Sequence, residues 1–316
     1  MTSTPVTETT FPENGPESYD TYMSPLNIFD LVASVIIIVL GLTGNALVIW
    51  IAGFKVRKSV ISIWYLSLAV SDFLFCSFLP FFVFYRITGT WIFGPFLCNM
   101  IYLNISLNLY CSIFLLTIIS VDRCVIVMFP IWARTQRTVK KAFVIVVLVW
   151  FISAIFNVPA LIIPDSENKT VTNETNEKCK MSASAAIPIY DFIFGFVVPF
   201  LMIACCVIII RKLKTMQMVE SKKPFKIMMA LSATFFICWL PYHIYMLMKI
   251  NKIRIKFLGL IGFTLSIANS CLNPFLYAFM GKDFKNQFYK ILSNIENAME
   301  EEDNQNIDRG TILTHK

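Results

Sequence analysis

The sequence predicts an all-α membrane protein, a bundle of seven transmembrane helices. Composition is the first observation: 57% of the 316 residues are hydrophobic and 15% charged, against about 45–50% and about 25% in soluble domains. The second is a mean hydropathy of +0.67. The third is that the apolar residues gather in seven helix-length blocks. Together these exclude a water-soluble enzyme, a disordered chain and a secreted disulfide scaffold. The net charge of +7 does not point to nucleic acid, because the basic residues sit in short runs between apolar blocks, where membrane topology explains them.

The blocks lie near 26–52, 62–85, 96–128, 142–163, 188–210, 225–248 and 257–280. Each supplies the roughly 20 residues that cross a hydrocarbon core of about 30 Å. Pro80, Pro159, Pro199, Pro241 and Pro274 fall inside them; packed membrane helices accept such kinks because neighbours satisfy the freed backbone groups. No dyad alternation suggests an outer-membrane barrel, and no internal repeat suggests the paired halves of many transporters. The chain divides into a tail 1–25, a membrane domain 26–280, a helix-length run 281–293 and a second tail 294–316.

Lys and Arg set the orientation. The first, third and fifth connections and the run after the seventh span hold sixteen, including Lys55, Arg137, Lys141, Lys212 and Lys285; the other side holds eight. The positive-inside rule puts the richer side in the cytoplasm, so the N-terminus is expected outside. The tail 1–25 has no apolar core for a cleavable signal, so the first span is expected to direct insertion. Asn168 and Asn173 open glycosylation sequons in the outer loop 164–187.

Of nine cysteines, most lie within spans as small packing residues. Cys98, at the outer start of the third span, and Cys179, in the outer loop, both face an oxidising compartment. That allows a bridge pinning the loop over the mouth of the bundle; the alternative is two free thiols.

Ionisable groups in a bilayer cost at least about 2.5–3.5 kcal/mol and mark function by default. Asp72 is the deepest. Asn108 and Ser112 share one face of the third span, and Asn269 and Asn273 one face of the seventh. With Asn45 they form a set of oxygen ligands suited to sodium, centred on Asp72, Asn108 and Ser112; a hydrogen-bonded network without an ion is the equal alternative. Asp122-Arg123 ends the third span, 25 residues after Cys98, or roughly 37 Å along a helix. The pair either snorkels to water or forms a latch released on opening.

These residues together resemble the rhodopsin-like (class A) family of G-protein-coupled receptors. The matching wording is Gly44-Asn45, Leu68-Ala69-Val70-Ser71-Asp72, Trp91-Ile92-Phe93-Gly94 before Cys98, and Asp122-Arg123-Cys124. It continues with Trp150, Pro199, Cys238-Trp239-Leu240-Pro241 and Asn273-Pro274-Phe275-Leu276-Tyr277. Gly281-Lys282-Asp283-Phe284 resembles the start of the family's short amphipathic helix, which assigns 281–293 to the membrane surface. Within the family, Ser120-Val121-Asp122-Arg123-Cys124, Pro130-Ile131-Trp132 and Trp239-Leu240-Pro241-Tyr242-His243 look like chemoattractant receptors, nearest to chemerin and formyl-peptide receptors.

The resemblance implies a plasma-membrane receptor that binds an extracellular peptide, small protein or lipid and couples to an inhibitory-type heterotrimeric G protein. Asp122, Arg123, Trp239, Pro241, Pro274 and Tyr277 would form the activation switch, with Arg123 and Ile131 meeting the G protein. Several positions depart from the near groups. Ser106 and Ile187 stand where formyl-peptide receptors carry Asp and Arg. Asp191 reverses the charge favoured in both groups. Val207 replaces the usual Tyr eight residues after Pro199.

The expected ligand cleft lies in the outer halves of the spans, at Arg86, Tyr102, Ser106, Tyr110, Asp191, His243, Met246, Lys249 and Phe263. Asp191 needs a partner, either Lys249, Arg86 or a ligand amine. His243 either faces the cleft or is a hydrogen-bonded core histidine. The tail 1–25 is acidic, with Glu8, Glu13, Glu17 and Asp20 and no Lys or Arg; it attracts basic ligands or is simply solvated. The last tail offers few hydroxyls, Thr311 and Thr314, beside the acidic run from Glu300 to Asp303, so arrestin capture through phosphates is expected to be modest.

The expected function is therefore a non-enzymatic chemoattractant receptor for a peptide or small protein. The alternatives are a lipid-mediator receptor and a silent or scavenging receptor. No cofactor is expected beyond an allosteric sodium ion, and no nucleic acid partner.

Overall fold

The computed structural model describes residues 25–88, 90–162, 186–215, 223–251, 253 and 255–277. Among these every regular element is helical. The first span is α1 (Pro25–Trp50), which ends in a π turn at Ile51–Lys55. The second is α2 (Val60–Thr88) and the third α3 (Gly94–Met128). A short α4 (Pro130–Gln136) precedes the fourth span, α5 (Val139–Ile162). The fifth span is α6 (Ala186–Phe192) and α7 (Val198–Thr215) joined by a π turn at Ile193–Val197. The sixth and seventh are α8 (Lys223–Ile250) and α9 (Lys256–Tyr277). Seven of these stretches are long and apolar enough to cross a membrane, as the sequence predicts.

Boundaries differ from the hydropathy reading where capping chemistry decides them. The second span begins two residues earlier than apolar content alone suggests. There the amide of Ser62 donates to Ser59 Oγ at 3.1 Å and the amide of Ser59 to Ser62 Oγ at 2.7 Å, a reciprocal cap that satisfies two orphan donors. The fourth span likewise starts after Thr138, whose Oγ1 accepts from the Lys141 amide at 3.3 Å. Helix α4 opens on Pro130, whose missing N–H costs nothing at a first helical position. The π turn of the fifth span sits directly ahead of Pro199, where the ring removes a donor and crowds the preceding turn.

Helix α3 occupies the middle of the bundle and packs on α2, α5, α7 and α8, while α9 closes against α8 and α1. Its side chains Leu109, Ile113, Leu115, Leu116 and Ile119 join Trp64, Leu68, Met228, Phe235 and Trp239 in one buried cluster. Two glycines permit the close approaches. A Cβ at Gly41 would sit 2.5 Å from Cys76 Sγ, and one at Gly262 would sit 2.9 Å from the Tyr242 backbone nitrogen. On the outside, Phe143, Val147, Leu148 and Phe151 of α5 and Phe29, Val32 and Ile36 of α1 are exposed. Such apolar belts are liabilities in water and ordinary in lipid.

The expected surface helix 281–293, the tails 1–25 and 294–316, and Asn168, Asn173 and Cys179 lie outside the described residues, apart from Pro25. Cys98 is buried at the first turns of α3.

Candidate functional site

Aromatic side chains gather around the Asp191 carboxylate at the end of the bundle away from Asp122. The Tyr110 hydroxyl of α3 donates to Asp191 Oδ1 of α6 at 2.6 Å. Tyr110 is fully buried, and its ring meets Phe156 at 5.2 Å and Tyr190 at 6.5 Å. The Phe194 ring lies tilted against Tyr190, with centroids 4.9 Å apart. This wall holds the Asp191 side chain in place, and aromatic contacts of this kind add to area burial.

Among the described residues no Lys or Arg pairs with Asp191. This corrects one expected partner. Arg86 of α2 instead forms an ion pair with Asp30 of α1, whose Oδ1 also accepts from the Thr264 hydroxyl of α9. Asp30 is 2% exposed, so a carboxylate there must recruit a cation or be lost to desolvation. Lys249 is exposed in the last turn of α8.

His243 is buried among rings, 5.3 Å from Phe196, 5.9 Å from Phe192, 5.7 Å from Tyr242 and 6.2 Å from Trp239. It is 1% exposed, and its Nε2 has no hydrogen-bond partner among the described residues. Met246 is buried, while Tyr102 and Ser106 are half-buried. Phe263 is half-buried too, with its ring 4.7 Å from Phe82.

Part of the polar set meets at Asp72. Asn108 Nδ2 donates to Asp72 Oδ1 at 3.0 Å and Asn273 Nδ2 to Asp72 Oδ2 at 2.8 Å. Asn45 Nδ2 ties α1 to α9 through the Ser270 carbonyl at 2.9 Å. Asn108 Oδ1, Ser112 Oγ and Asn269 Oδ1 are buried without hydrogen-bond partners. Unpartnered oxygens on the same helices as the Asp72 ligands are donors of the kind a hard cation such as sodium takes, and equally ones that a hydrogen-bonded network would use.

At the opposite end of α3, Arg123 Nη2 donates to Asp122 Oδ2 at 2.9 Å. Asp122 is also held by Arg137, from Nε to Oδ1 at 2.6 Å and from Nη2 to Oδ2 at 3.0 Å. The pair therefore does not simply snorkel, and the fork from Arg137 is the stronger hold. Trp239 is fully buried beside Phe235, two residues before Pro241, which lies inside α8. Pro274 lies inside α9 and Tyr277 is its last residue; the Tyr277 side chain lies outside the described set. Ile131 of α4 is 83% exposed, free to meet a partner. Trp150 Nε1 reaches Ser67 Oγ at 3.0 Å, fixing α5 to α2.

Sequence reasoning passes over Asp30 and Arg137. Asp30 carries the same signal as Asp72, an acidic residue within an apolar span. Arg137 carries no local signal, because it is fourteen positions after Arg123 and only the turn through α4 returns it to Asp122.

Residues 44–277 match the model of the 7 transmembrane receptor (rhodopsin family). The chain belongs to this family. Human chemerin-like receptor 1 is 36% identical over 311 residues, covering 89% of this chain and 83% of that protein. The C3a anaphylatoxin chemotactic receptor of Oncorhynchus mykiss is 34% identical, covering 90% and 86%. The fMet-Leu-Phe receptor of Oryctolagus cuniculus is also 34% identical, covering 92% and 90%. This rhodopsin-family chain is thus a multi-pass plasma-membrane receptor of the chemoattractant type, one that takes an extracellular ligand and couples to a G protein. It is a signalling protein and not an enzyme.

Proposed function

We propose that this receptor recognises a chemoattractant peptide or small protein through a cationic group and signals through an inhibitory-type G protein. Asp191 carries the reading: it is a carboxylate among aromatic rings whose partner is a neutral hydroxyl and not a cation. A ligand amine or guanidinium brought to it would replace lost hydration with an ion pair, in a cleft whose rings also attract cations. An anionic group would meet repulsion there, which argues against an acidic lipid. Ligand and G protein would each favour the open arrangement in which Arg123 leaves Asp122, and that shared preference is the coupling.

Several further assignments belong to the same proposal. The N-terminus is outside and the C-terminus cytoplasmic, and Cys98 pairs with Cys179. Asn168 and Asn173 are glycosylated, sodium sits at Asp72, Asn108 and Ser112, and arrestin recruitment is weak.

The test is inhibitory G-protein activation in cells expressing the chain, with and without a panel of cationic, neutral and acidic chemoattractants. The expected result is a ligand-dependent signal lost in Arg123→Ala, with potency shifted by Asp191→Ala. Equal response of Asp191→Ala to cationic ligands would remove the cation reading. A second reading has its own support. Val207, where the family usually carries a Tyr that steadies the active state, is partly buried against the apolar core, which favours a receptor that binds without turning over G protein. Uptake of ligand without nucleotide exchange would select it.

A further inference from the structure

A second concavity lies outside the bundle, at the end that carries the Asp122 latch. It is a cavity of about 200 Å³ between α2, α3, α4 and α5. It is lined on one side by Val60, Trp64, Ile118, Ala142 and Ile145, and on the other by Arg137, Lys141 and the Asp122 carboxylate that Arg137 holds. The volume is below the roughly 300–1,000 Å³ of drug-sized sites, so it suits a length of acyl chain and not a fused ring system.

The polar side has unused donors. Arg137 spends Nε and Nη2 on Asp122, leaving Nη1 of its five-donor fork for an incoming oxygen. Lys141 Nζ makes one bond, to Gln136 Oε1 at 2.6 Å, of the three that an ammonium can give. Arg134 and Lys140 are exposed beside them. Trp132 of α4, which also lines the cavity, is 57% exposed, as tryptophans at a membrane interface are.

We propose that this cavity binds an anionic glycerophospholipid of the adjoining leaflet. One acyl chain lies along Trp64, Ile118 and Ile145, and the phosphate is held by Lys141 and Arg137 Nη1. With Arg137 shared with Asp122, the uncommitted charge of Lys141 selects an anionic head, because basic residues at a membrane face attract such lipids. The apolar side selects a chain over a free anion. Since the same guanidinium holds Asp122, the site gives the lipid composition of one leaflet contact with the latch.

The experiment uses the full-length receptor in nanodiscs containing a phospholipid with a photoreactive acyl chain, presented with either a phosphatidylserine or a phosphatidylcholine head. Cross-links are mapped by mass spectrometry. The expected result is labelling of the peptides bearing Trp64 or Ile145, several-fold stronger for phosphatidylserine. Ala142→Phe, which fills the cavity, should abolish it. Lys141→Gln, an exposed substitution that leaves the fold intact, should remove the headgroup preference. Added inorganic phosphate should leave labelling unchanged. Equal labelling by both lipids, preference retained in Lys141→Gln, or suppression by inorganic phosphate would each overturn the proposal.

Discussion

Tyr110 and Asp191, 81 positions apart in sequence, meet at 2.6 Å across the third and fifth spans. The bond fastens α6 to α3, and its acceptor is the residue on which ligand selectivity is proposed to turn. Structural and recognition roles therefore meet in one carboxylate.

Removing the donor tests the first role. Tyr110→Phe keeps the ring contacts but leaves Asp191 without its partner, so it should cost about 1.5–3 kcal/mol, the range for hydrogen bonds to charged groups. Thermal unfolding of purified receptor measures this. Asp191→Leu introduced together with Tyr110→Phe should recover part of the loss, because both polar groups are then gone. An unchanged melting temperature for Tyr110→Phe would show that the bond contributes nothing.

The Asp30–Arg86 pair should show the asymmetry of buried ion pairs. Arg86→Ala strands a carboxylate that is 2% exposed, and the expected penalty is about 3–5 kcal/mol. The double substitution Asp30→Leu with Arg86→Leu should be far milder than Arg86→Ala alone. Surface expression and thermal stability of the two variants would be compared with wild type, and equal losses in both would contradict the pairing.

The polar core predicts a cation effect with a definite dependence on one residue. Replacing choline chloride by sodium chloride at constant ionic strength should raise the melting temperature of the receptor. Asp72→Asn, which keeps an acceptor but removes the charge, should abolish the rise. A sodium effect of equal size in Asp72→Asn would move the ion elsewhere.

The latch predicts ligand-independent signalling. Arg137→Ala removes the fork that holds Asp122 at 2.6 and 3.0 Å, so the closed state should lose more than the open one. A differential loss of about 1.4 kcal/mol would raise the open fraction about tenfold. Basal nucleotide exchange on a purified G protein reads this directly. Lower or unchanged basal exchange would mean that Arg137 does not restrain the switch.

Close packing of the sixth and seventh spans makes a steric prediction. In Gly262→Ala the new methyl would lie 2.9 Å from the Tyr242 backbone nitrogen, and backbone cannot step aside as a flexible side chain does. Overpacking of this kind costs about 1–3 kcal/mol. Reduced cell-surface expression is the expected readout, and wild-type levels would count against the observed approach of α8 and α9.

Much of this receptor was fixed by local chemistry that a linear reading can follow. Span number follows from blocks of apolar residues, because a backbone in lipid must satisfy its own hydrogen bonds within each helix. The meeting of Asn108 and Asn273 at Asp72 was legible too, since helical spacing puts each on an inward face and a bilayer leaves buried polar groups only one another. The reading had least purchase on partner choice. Asp191, Arg86 and Lys249 carry complementary charges and any pairing was admissible. Only the tertiary structure placed Asp30 beside Arg86, Tyr110 beside Asp191 and Arg137 beside Asp122, because which side chains meet across a bundle depends on helix rotation and tilt. Those are decided by packing at contacts such as Gly41 on Cys76 and Gly262 on Tyr242, and no periodicity in the chain encodes them.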